Sequence, residues 1–315
     1  MIFYGLAELE KALGYDAKTL YALSNNVKKH YHPAQIPKKN GEMRDLLVPD
    51  MALKSVQKAI ADKILSQFPV SPYAYAYRKG FGIKKNARQH TGKEKVLNLD
   101  IEKFFDHILY TQVKDYAFPK AFFAEDVRIL LSILCYGEKG LPQGAPSSPV
   151  ITNLVMFDFD VKIGKWCSRH GIDYSRYCDD MTFSGDFDEK AVIFMVKKEL
   201  RRLNMSLKRE KTRVAKRGSR QTVTGIVVNE IPSVPSEYRR KLRQEIYYLK
   251  KYGAGHQLRR YGLKMTAKEY FLSLLGRVNY VLHISPDNYE MWQYRRYLKN
   301  MLRQSRLQPR RSVLL

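Results

Sequence analysis

The sequence predicts an α+β fold with an antiparallel sheet at its centre. An apolar run over 96–99 is typical of a buried strand, and it ends at Asp100. Residues 172–185 (IDYSRYCDDMTFSG) have two apolar arms, a pattern that predicts a β-hairpin with Asp179 and Asp180 at its tip. Helical spacing before, between and after these segments supplies the α component. Three carboxylates are therefore expected at strand ends.

The elements of the first hundred residues follow from spacing and turn chemistry. Residues 1 to about 30 place apolar side chains on one helix face. Residues 36–50 (IPKKNGEMRDLLVPD) set a basic turn around Asn40 and Gly41 between two extended arms, which predicts a hairpin whose tip can reach a phosphate. Helical spacing then returns over 51–68, before prolines end it.

The second half of the chain continues with helices and one more strand. Helical patterns are predicted over about 110–136, over 149–171 as one long helix, and over about 189–203, and a strand is predicted over 223–228. The Pro-Gly-Ser segment LPQGAPSSP interrupts the helices. From Ser236 onward the chain is helical and very basic, so a subdomain boundary is predicted near 232–235.

Charge points to a polyanionic partner. Lys and Arg number 56 against 31 Asp and Glu, which gives a net charge of +25 at pH 7 and a pI of about 9.8. Nucleic acid is the first candidate, and an anionic membrane surface is the alternative. No apolar run approaches the roughly 20 residues needed to span a bilayer. The N-terminal stretch lacks a basic leader, so a cytoplasmic protein is expected.

The cysteines argue against a disulfide framework and against zinc. Cys135, Cys167 and Cys178 are odd in number and have no C-x-x-C spacing. A bound metal would therefore be a hard cation on carboxylate oxygens, Mg²⁺ or Mn²⁺. Adjacent carboxylates repel each other and are costly to bury, so a cation would explain the Asp179–Asp180 pair, as in two-metal phosphoryl transfer. A solvated Asp-Asp turn is the alternative.

Four motifs in order give the chain a family resemblance. LNLDIEKFFDHI, LPQGAPSSP, YCDD and LKREKT are similar to the palm motifs of reverse transcriptases. NARQH at 86–90 and VTG at 223–225 further resemble the N-A-x-x-H and V-T-G elements of retron reverse transcriptases. The resemblance covers about residues 30–230. It implies a right-hand polymerase fold with N-terminal helices and fingers at 1–95, a palm at 96–231 that includes fingers helices within about 110–145, and a basic helical thumb with a C-terminal tail at 232–315.

The resemblance also implies a function. Members of the family copy part of their own structured non-coding RNA into a branched RNA–DNA molecule, msDNA, primed from a guanosine 2′-hydroxyl. The expected partners are that RNA, its DNA product, dNTPs, an effector or toxin protein of an antiphage defence system, and a host RNase H, since the chain leaves no room for such a domain. No membrane partner is expected.

Site residues follow from the matched motifs. Asp100, Asp179 and Asp180 would bind two Mg²⁺ ions, with Mn²⁺ as a substitute. Phe105 would lie beneath the sugar and exclude a ribonucleotide 2′-hydroxyl, which also argues against an RNA-dependent RNA polymerase. The remaining nucleotide-binding residues would be Arg44, Gln143, Gly144 and Lys211, with help from Lys38 and Lys39. A surface salt bridge is the alternative explanation of Lys211.

RNA-recognition residues are expected in the lineage elements and the basic helices. The candidates are Asn86, His90, Val223, Thr224, Gly225, Arg239, Arg240 and Arg243. A local alternative has Asn86 capping a helix, with His90 one turn later. The basic helices also fit a solvated face over a tyrosine-rich core.

Two other functions stay open at this point. One is a reverse transcriptase of another lineage, group II intron-like or diversity-generating. The other is an RNA/DNA-binding scaffold that restrains an effector, with DNA synthesis secondary; the charge of +25 suits such retention.

Overall fold

The computed structural model describes residue 3 and residues 5–37 and 41–307. The chain forms two compact units. The first comprises Met1–Gly82 and Glu94–Ala215, and the second comprises Ile83–Lys93 and Lys216–Leu315. The predicted division into fingers, palm and thumb is a functional one and stays a prediction.

The elements are numbered in chain order. The helices are α1 (Leu6–Leu13), α2 (Ala17–Asn25), α3 (Met51–Ala59), α4 (Ile83–Arg88), α5 (Tyr110–Gln112), α6 (Glu125–Cys135), α7 (Ser148–Val155), α8 (Phe157–Arg169), α9 (Glu189–Arg202), α10 (Ser236–Arg260), α11 (Ala267–Ile284) and α12 (Tyr289–Leu307). The strands are β1 (Tyr31–Pro37), β2 (Met43–Pro49), β3 (Lys95–Asp100), β4 (Asp173–Tyr177), β5 (Asp180–Gly185), β6 (Arg213–Lys216), β7 (Thr222–Val223) and β8 (Ile226–Val227).

The central sheet confirms the predicted α+β class. Its strand order is β4-β5-β3-β6, with β5 antiparallel to both β4 and β3. Leu97 of β3 and Phe183 of β5 are paired and fully buried, and α8 packs against β4. Burial of such side chains, about 1.5–3 kcal/mol each, fixes the register, because a slip of one residue would turn them to the other face. The sheet therefore holds Asp100 directly beside Asp180.

The N-terminal hairpin is also confirmed. Strands β1 and β2 are antiparallel from Tyr31↔Pro49 to Pro37↔Met43. The basic tip residues Lys38, Lys39 and Asn40 lie outside the described residues, as do residues 308–315 of the predicted tail.

Three predicted elements are divided in the structure. The helical stretch at the N-terminus is two helices, because Gly14 adopts φ 79 and ends α1. The long helix over 149–171 breaks at Met156 (φ −86, ψ 1) into α7 and α8. The predicted strand over 223–228 is the β7–β8 hairpin instead, since Thr224 (φ 46) and Gly225 (φ 82) both adopt the left-handed conformation of a tight turn.

The second unit combines that small hairpin with helices. Helix α4 packs against β7 and β8, and the backbone N–H of Gly92 donates to the carbonyl of Val228 at 3.0 Å. Helices α10, α11 and α12 form the rest, and α10 is kinked at Gly253 (φ 75, ψ 167). In the described part of the chain, no helix combines the length and apolarity needed to cross a membrane.

Candidate active site

Three carboxylates meet at one edge of the central sheet. Asp100 ends β3, and its register partner Asp180 begins β5. Asp179 lies in the two-residue turn between β4 and β5, together with Cys178 (φ 61). The positive φ of a non-glycine residue marks a strained turn that its surroundings must hold in place. The predicted hairpin with aspartates at its tip is therefore present, beside Asp100 as expected.

Burial and mutual repulsion make these carboxylates costly to ionise. Burial first, and then the charge of Asp100, raises the pKa of Asp179 above its ordinary range. The pKa of Asp180 is raised by burial, by the charge of Asp179 and by a hydrogen bond to Asp100. Such a cluster needs a cation to neutralise it.

Lys211 supplies part of that positive charge. Its ammonium lies 2.5 Å from Oδ2 of Asp100, and the backbone N–H of Lys208 donates to the carbonyl of Asp100 at 2.8 Å. Burial alone would lower the pKa of Lys211, but the hydrogen bond and the charges of the aspartates raise it. Lys211 thus forms an ion pair, but its partner is a buried candidate catalytic carboxylate and not a surface group, so the alternative of a surface salt bridge does not describe it.

The donor chemistry of the cluster fits a hard divalent cation. Within the described ranges, no group of three or more His, Cys, Asp or Glu side chains is placed to hold a metal ion as the side chains stand. Asp100 is turned toward Lys211. Asp100 is buried, Asp179 is half-buried and Asp180 is open to the cavity, and the pKa values of Asp179 and Asp180 are raised. The three carboxylates nevertheless offer the oxygen-only set that Mg²⁺ or Mn²⁺ prefers.

A cavity of about 630 Å³ opens beside the aspartates. It brings together four predicted nucleotide-binding or catalytic elements that are far apart in the sequence: Arg44, Phe105, Gln143 and Lys211. Its wall also contains residues that the sequence analysis did not assign to the site: Tyr77, Lys103 and Lys208. Lys103 and Lys208 lie within the matched motifs, which could have indicated them, whereas the position of Tyr77 depends on packing between distant segments.

The LPQG loop fixes the position of Phe105. The backbone N–H of Leu141 donates to the carbonyl of Phe105 at 2.9 Å. Gly140 (φ 122) lies so close that an added Cβ would stand 2.6 Å from that carbonyl oxygen. Both rings line the cavity from the turn after β3, but Phe104 is buried whereas Phe105 is half-buried. Gly140 is a supporting residue that the sequence analysis missed.

The same loop packs against β2. The backbone N–H of Leu47 donates to the carbonyl of Gln143 at 3.2 Å. An added Cβ at Gly144 (φ 141) would lie 2.9 Å from the carbonyl oxygen of Leu47. Gly144 therefore permits a close backbone approach to β2, and its role in nucleotide binding stays a prediction. Arg44, on the same strand, is thereby held at the cavity.

Comparison with known proteins places this geometry in a family. The sequence model described as "Reverse transcriptase (RNA-dependent DNA polymerase)" matches residues 36–244. The chain is 34% identical over 239 residues to "Retron Mx65 reverse transcriptase" of Myxococcus xanthus, covering 70% of this chain and 56% of that protein. It is 30% identical over 259 residues to "Retron Se72 reverse transcriptase" of Salmonella heidelberg, covering 79% and 68%. The chain belongs to the retron reverse transcriptases.

A third relative agrees with this assignment. "Retron Mx162 reverse transcriptase" of Myxococcus xanthus is 30% identical over 299 residues, covering 80% of this chain and 61% of that protein. The chain thus spans 56% and 61% of the length of its two Myxococcus relatives.

The two lineage elements of this retron reverse transcriptase meet in the second unit. Asn86 lies within α4, which packs against the β7–β8 hairpin that contains Thr224 and Gly225. The capping alternative for Asn86 is wrong, because the residue is inside the helix and buried. The amide of Asn86 and the hydroxyl of Thr224 are buried and have no hydrogen-bond partner among the residues that the structure describes. A role in RNA recognition stays a prediction.

The basic candidates at the start of α10 differ in their environments. Arg243 is held by Glu290 through two hydrogen bonds, at 2.8 and 3.0 Å. Arg240 is exposed, and Arg239 is half-buried with Nε enclosed. Of the three, Arg240 is the one whose exposure best suits a phosphate contact.

His90 should make this retron reverse transcriptase sensitive to acid. Burial, followed by the charge of Lys93, lowers the pKa of His90 to about 3. The unfolded chain binds a proton near pH 6.5, whereas the folded chain does not. Neutral His90 therefore costs the folded state nothing above pH 6.5. Below pH 6.5 the unfolded chain gains a proton that the folded chain cannot bind, so the free energy of unfolding falls by about 1.4 kcal/mol per pH unit toward pH 3. The free energy of unfolding, measured in urea between pH 7 and 5, should fall less steeply for His90→Gln.

A matched control uses another histidine of the second unit. His256 is exposed on α10, so His256→Gln should keep the wild-type pH dependence. Equal slopes for wild type and His90→Gln would contradict the prediction.

Proposed function

We propose that this chain is an RNA-directed DNA polymerase that copies part of a retron non-coding RNA into msDNA by two-metal nucleotidyl transfer. The observation that carries the proposal is the gathering of Asp100, Asp179 and Asp180 at one cavity with Arg44, Phe105, Gln143 and Lys211. Membership of the retron reverse transcriptases supports it.

Each cavity residue has a task that suits its chemistry. The three carboxylates would hold the cations, which would lower the pKa of the attacking hydroxyl and neutralise the pyrophosphate. Arg44 offers a planar fork of donors to the triphosphate. Gln143 presents an amide to the sugar or the template. Lys211, which pairs with Asp100, would offer its ammonium to the charge of the departing pyrophosphate.

The partners follow from the same proposal. Synthesis begins at a guanosine 2′-hydroxyl of the cognate RNA in the cytoplasm, and a host RNase H removes the copied RNA. The net charge of +25 favours retention of the RNA and of its DNA product. The resulting complex acts with an effector protein in antiphage defence.

Substitution of both turn aspartates tests the proposal. Purified protein supplied with an RNA template, primer, dNTPs and Mg²⁺ should make DNA, and Asp179→Ala/Asp180→Ala should make none, because too few oxygens remain to hold the cations. Labelled product on a denaturing gel is the readout. The control is Asp186→Ala, which changes an exposed aspartate just after the same hairpin. DNA synthesis by the double variant would remove the active-site assignment.

The nucleic acid that copurifies with the protein tests whether the product is msDNA. A product shortened by both RNase and DNase, with a branch that survives denaturation, is expected. An unbranched product would contradict priming from a 2′-hydroxyl.

The scaffold function is a second candidate, favoured by the large positive charge. In that case the protein and its nucleic acid restrain an effector whether or not DNA is made. An effector that stays silent beside the Asp179→Ala/Asp180→Ala variant would support the scaffold over the polymerase.

A further inference from the structure

A fully buried arginine lies directly behind the aspartate turn. Arg176 belongs to β4, and its Nη1 donates to the carbonyl oxygen of Cys178 at 2.9 Å. Cys178 has φ 61 and precedes Asp179. The guanidinium therefore fixes the peptide plane that joins Cys178 to Asp179, and the direction of that plane determines where the Asp179 carboxylate points.

Arg176 is itself held by a carboxylate from α8. Its Nε donates to Oδ1 of Asp160 at 2.8 Å, and its Nη2 donates to Oδ2 at 2.7 Å. The hydroxyl of Tyr174 donates to the same Oδ1 at 2.8 Å. Both members of the pair are fully buried. Such a pair is costly to desolvate, and apolar side chains often fill the same space without loss of stability. Stability alone therefore does not account for it.

A third contact extends the network to the other side of the turn. Oδ1 of Asn153, on α7, accepts from Nη2 of Arg176 at 3.2 Å, while its Nδ2 donates to the carbonyl of Ala76 at 3.0 Å. The next residue, Tyr77 (φ 57), places its hydroxyl 3.2 Å from Sγ of Cys178. The turn is thus held at its carbonyl by Arg176 and at its side chain by Tyr77.

We propose that Arg176 is a positioning residue for nucleotide transfer. Clamped by Asp160 and Asn153, it orients the Cys178–Asp179 peptide and so aims the Asp179 carboxylate at the cations. The inference rests on the proposed function, in which Asp179 is a metal ligand. In this role the side chains of Arg176, Asp160 and Asn153 do not touch the substrate; they hold the backbone that carries Asp179.

Arg176→Lys tests the proposal with the buried charge retained. A single ammonium can pair with Asp160 but cannot also supply the fork that reaches the Cys178 carbonyl. A misplacement of about 1 Å can lower a rate about 100-fold, so kcat for dNTP addition should fall about 10- to 100-fold, with little change in KM or in RNA affinity. The affinity for Mn²⁺, measured by electron paramagnetic resonance without nucleic acid, should fall as well.

Two further variants separate positioning from folding. Asp160→Leu/Arg176→Met removes both charges and should fold, since an apolar pair replaces a buried ionic one. It should show the same losses in kcat and Mn²⁺ affinity. If neither Arg176 variant folds, the uncharged Asn153→Ala should reproduce the losses in weaker form.

Arg128 provides a matched control. It is a second buried arginine of the first unit, and it donates to the carbonyl of Phe118 and to Asp115 at 2.6 Å each. It is absent from the wall of the aspartate cavity. Arg128→Lys should lower the free energy of unfolding while the folded protein keeps wild-type kcat and Mn²⁺ affinity.

The outcomes distinguish this inference from the proposed function. Wild-type kcat and Mn²⁺ affinity in folded Arg176 variants that synthesise DNA would overturn the positioning role alone. A wild-type protein that binds Mn²⁺ in an Arg176-dependent way but makes no DNA would support positioning and reject the polymerase. A wild-type protein that binds no Mn²⁺ would overturn the positioning role as stated.

Discussion

Asp179→Asn is expected to abolish DNA synthesis while it stabilises the protein. The amide keeps the shape of the side chain but removes a negative charge that would hold the cations. We expect the rate to fall about 1000-fold, which corresponds to a loss of about 4 kcal/mol in transition-state stabilisation. In metal-free buffer the same change should raise the free energy of unfolding. Burial and the charge of Asp100 already disfavour the ionised carboxylate and raise its pKa, so its removal relieves a cost.

Both effects can be measured on one preparation. Primer extension gives the rate, and urea unfolding in the presence of a chelator gives the stability. Asp186→Asn is the control, because Asp186 is exposed after the far end of β5. It should leave both quantities within error of wild type. A lower free energy of unfolding for Asp179→Asn would contradict the prediction, because it would mean that the ionised carboxylate stabilises the fold through its contacts.

Phe105→Ala is expected to admit ribonucleotides. The ring is partly exposed to the cavity, and the Leu141 N–H and the close packing of Gly140 hold its backbone in place. A rigid ring beneath the sugar excludes a 2′-hydroxyl by steric overlap, and its removal should lower the preference for dNTP over rNTP about 100-fold, which is about 2.7 kcal/mol. The ratio of kcat/KM for dCTP and CTP on one template measures the change.

The neighbouring ring is the matched control. Phe104 is buried and its ring contacts that of Phe105 edge-on, so Phe104→Ala should destabilise the fold by about 3–5 kcal/mol and change sugar selectivity much less than Phe105→Ala does. Equal selectivity in wild type and Phe105→Ala would refute the steric role and reopen the comparison with RNA-copying RNA polymerases.

Local pattern was sufficient for the elements that carry the chemistry. The strand before Asp100, the hairpin around Asp179 and Asp180, and the β1–β2 hairpin all have the predicted form, because alternation of apolar residues and turn chemistry act over a few neighbours. Local pattern gave the wrong element at 223–228, where left-handed backbone conformations turn the chain into a hairpin. Thr224 carries a β-branched side chain that favours a strand, yet it adopts φ 46 and turns the chain.

The sequence by itself determined the fold class, the charge and the identity of the carboxylates that define the candidate site. Tertiary structure alone decided which side chains and backbone groups contact each other at the site. It paired Lys211 with Asp100, placed Gly140 behind Phe105 and joined Arg176 to Asp160 beneath the turn. The reason is physical: periodicity records which face of an element is buried, whereas the partner of a buried polar group is set by packing between elements distant in the chain.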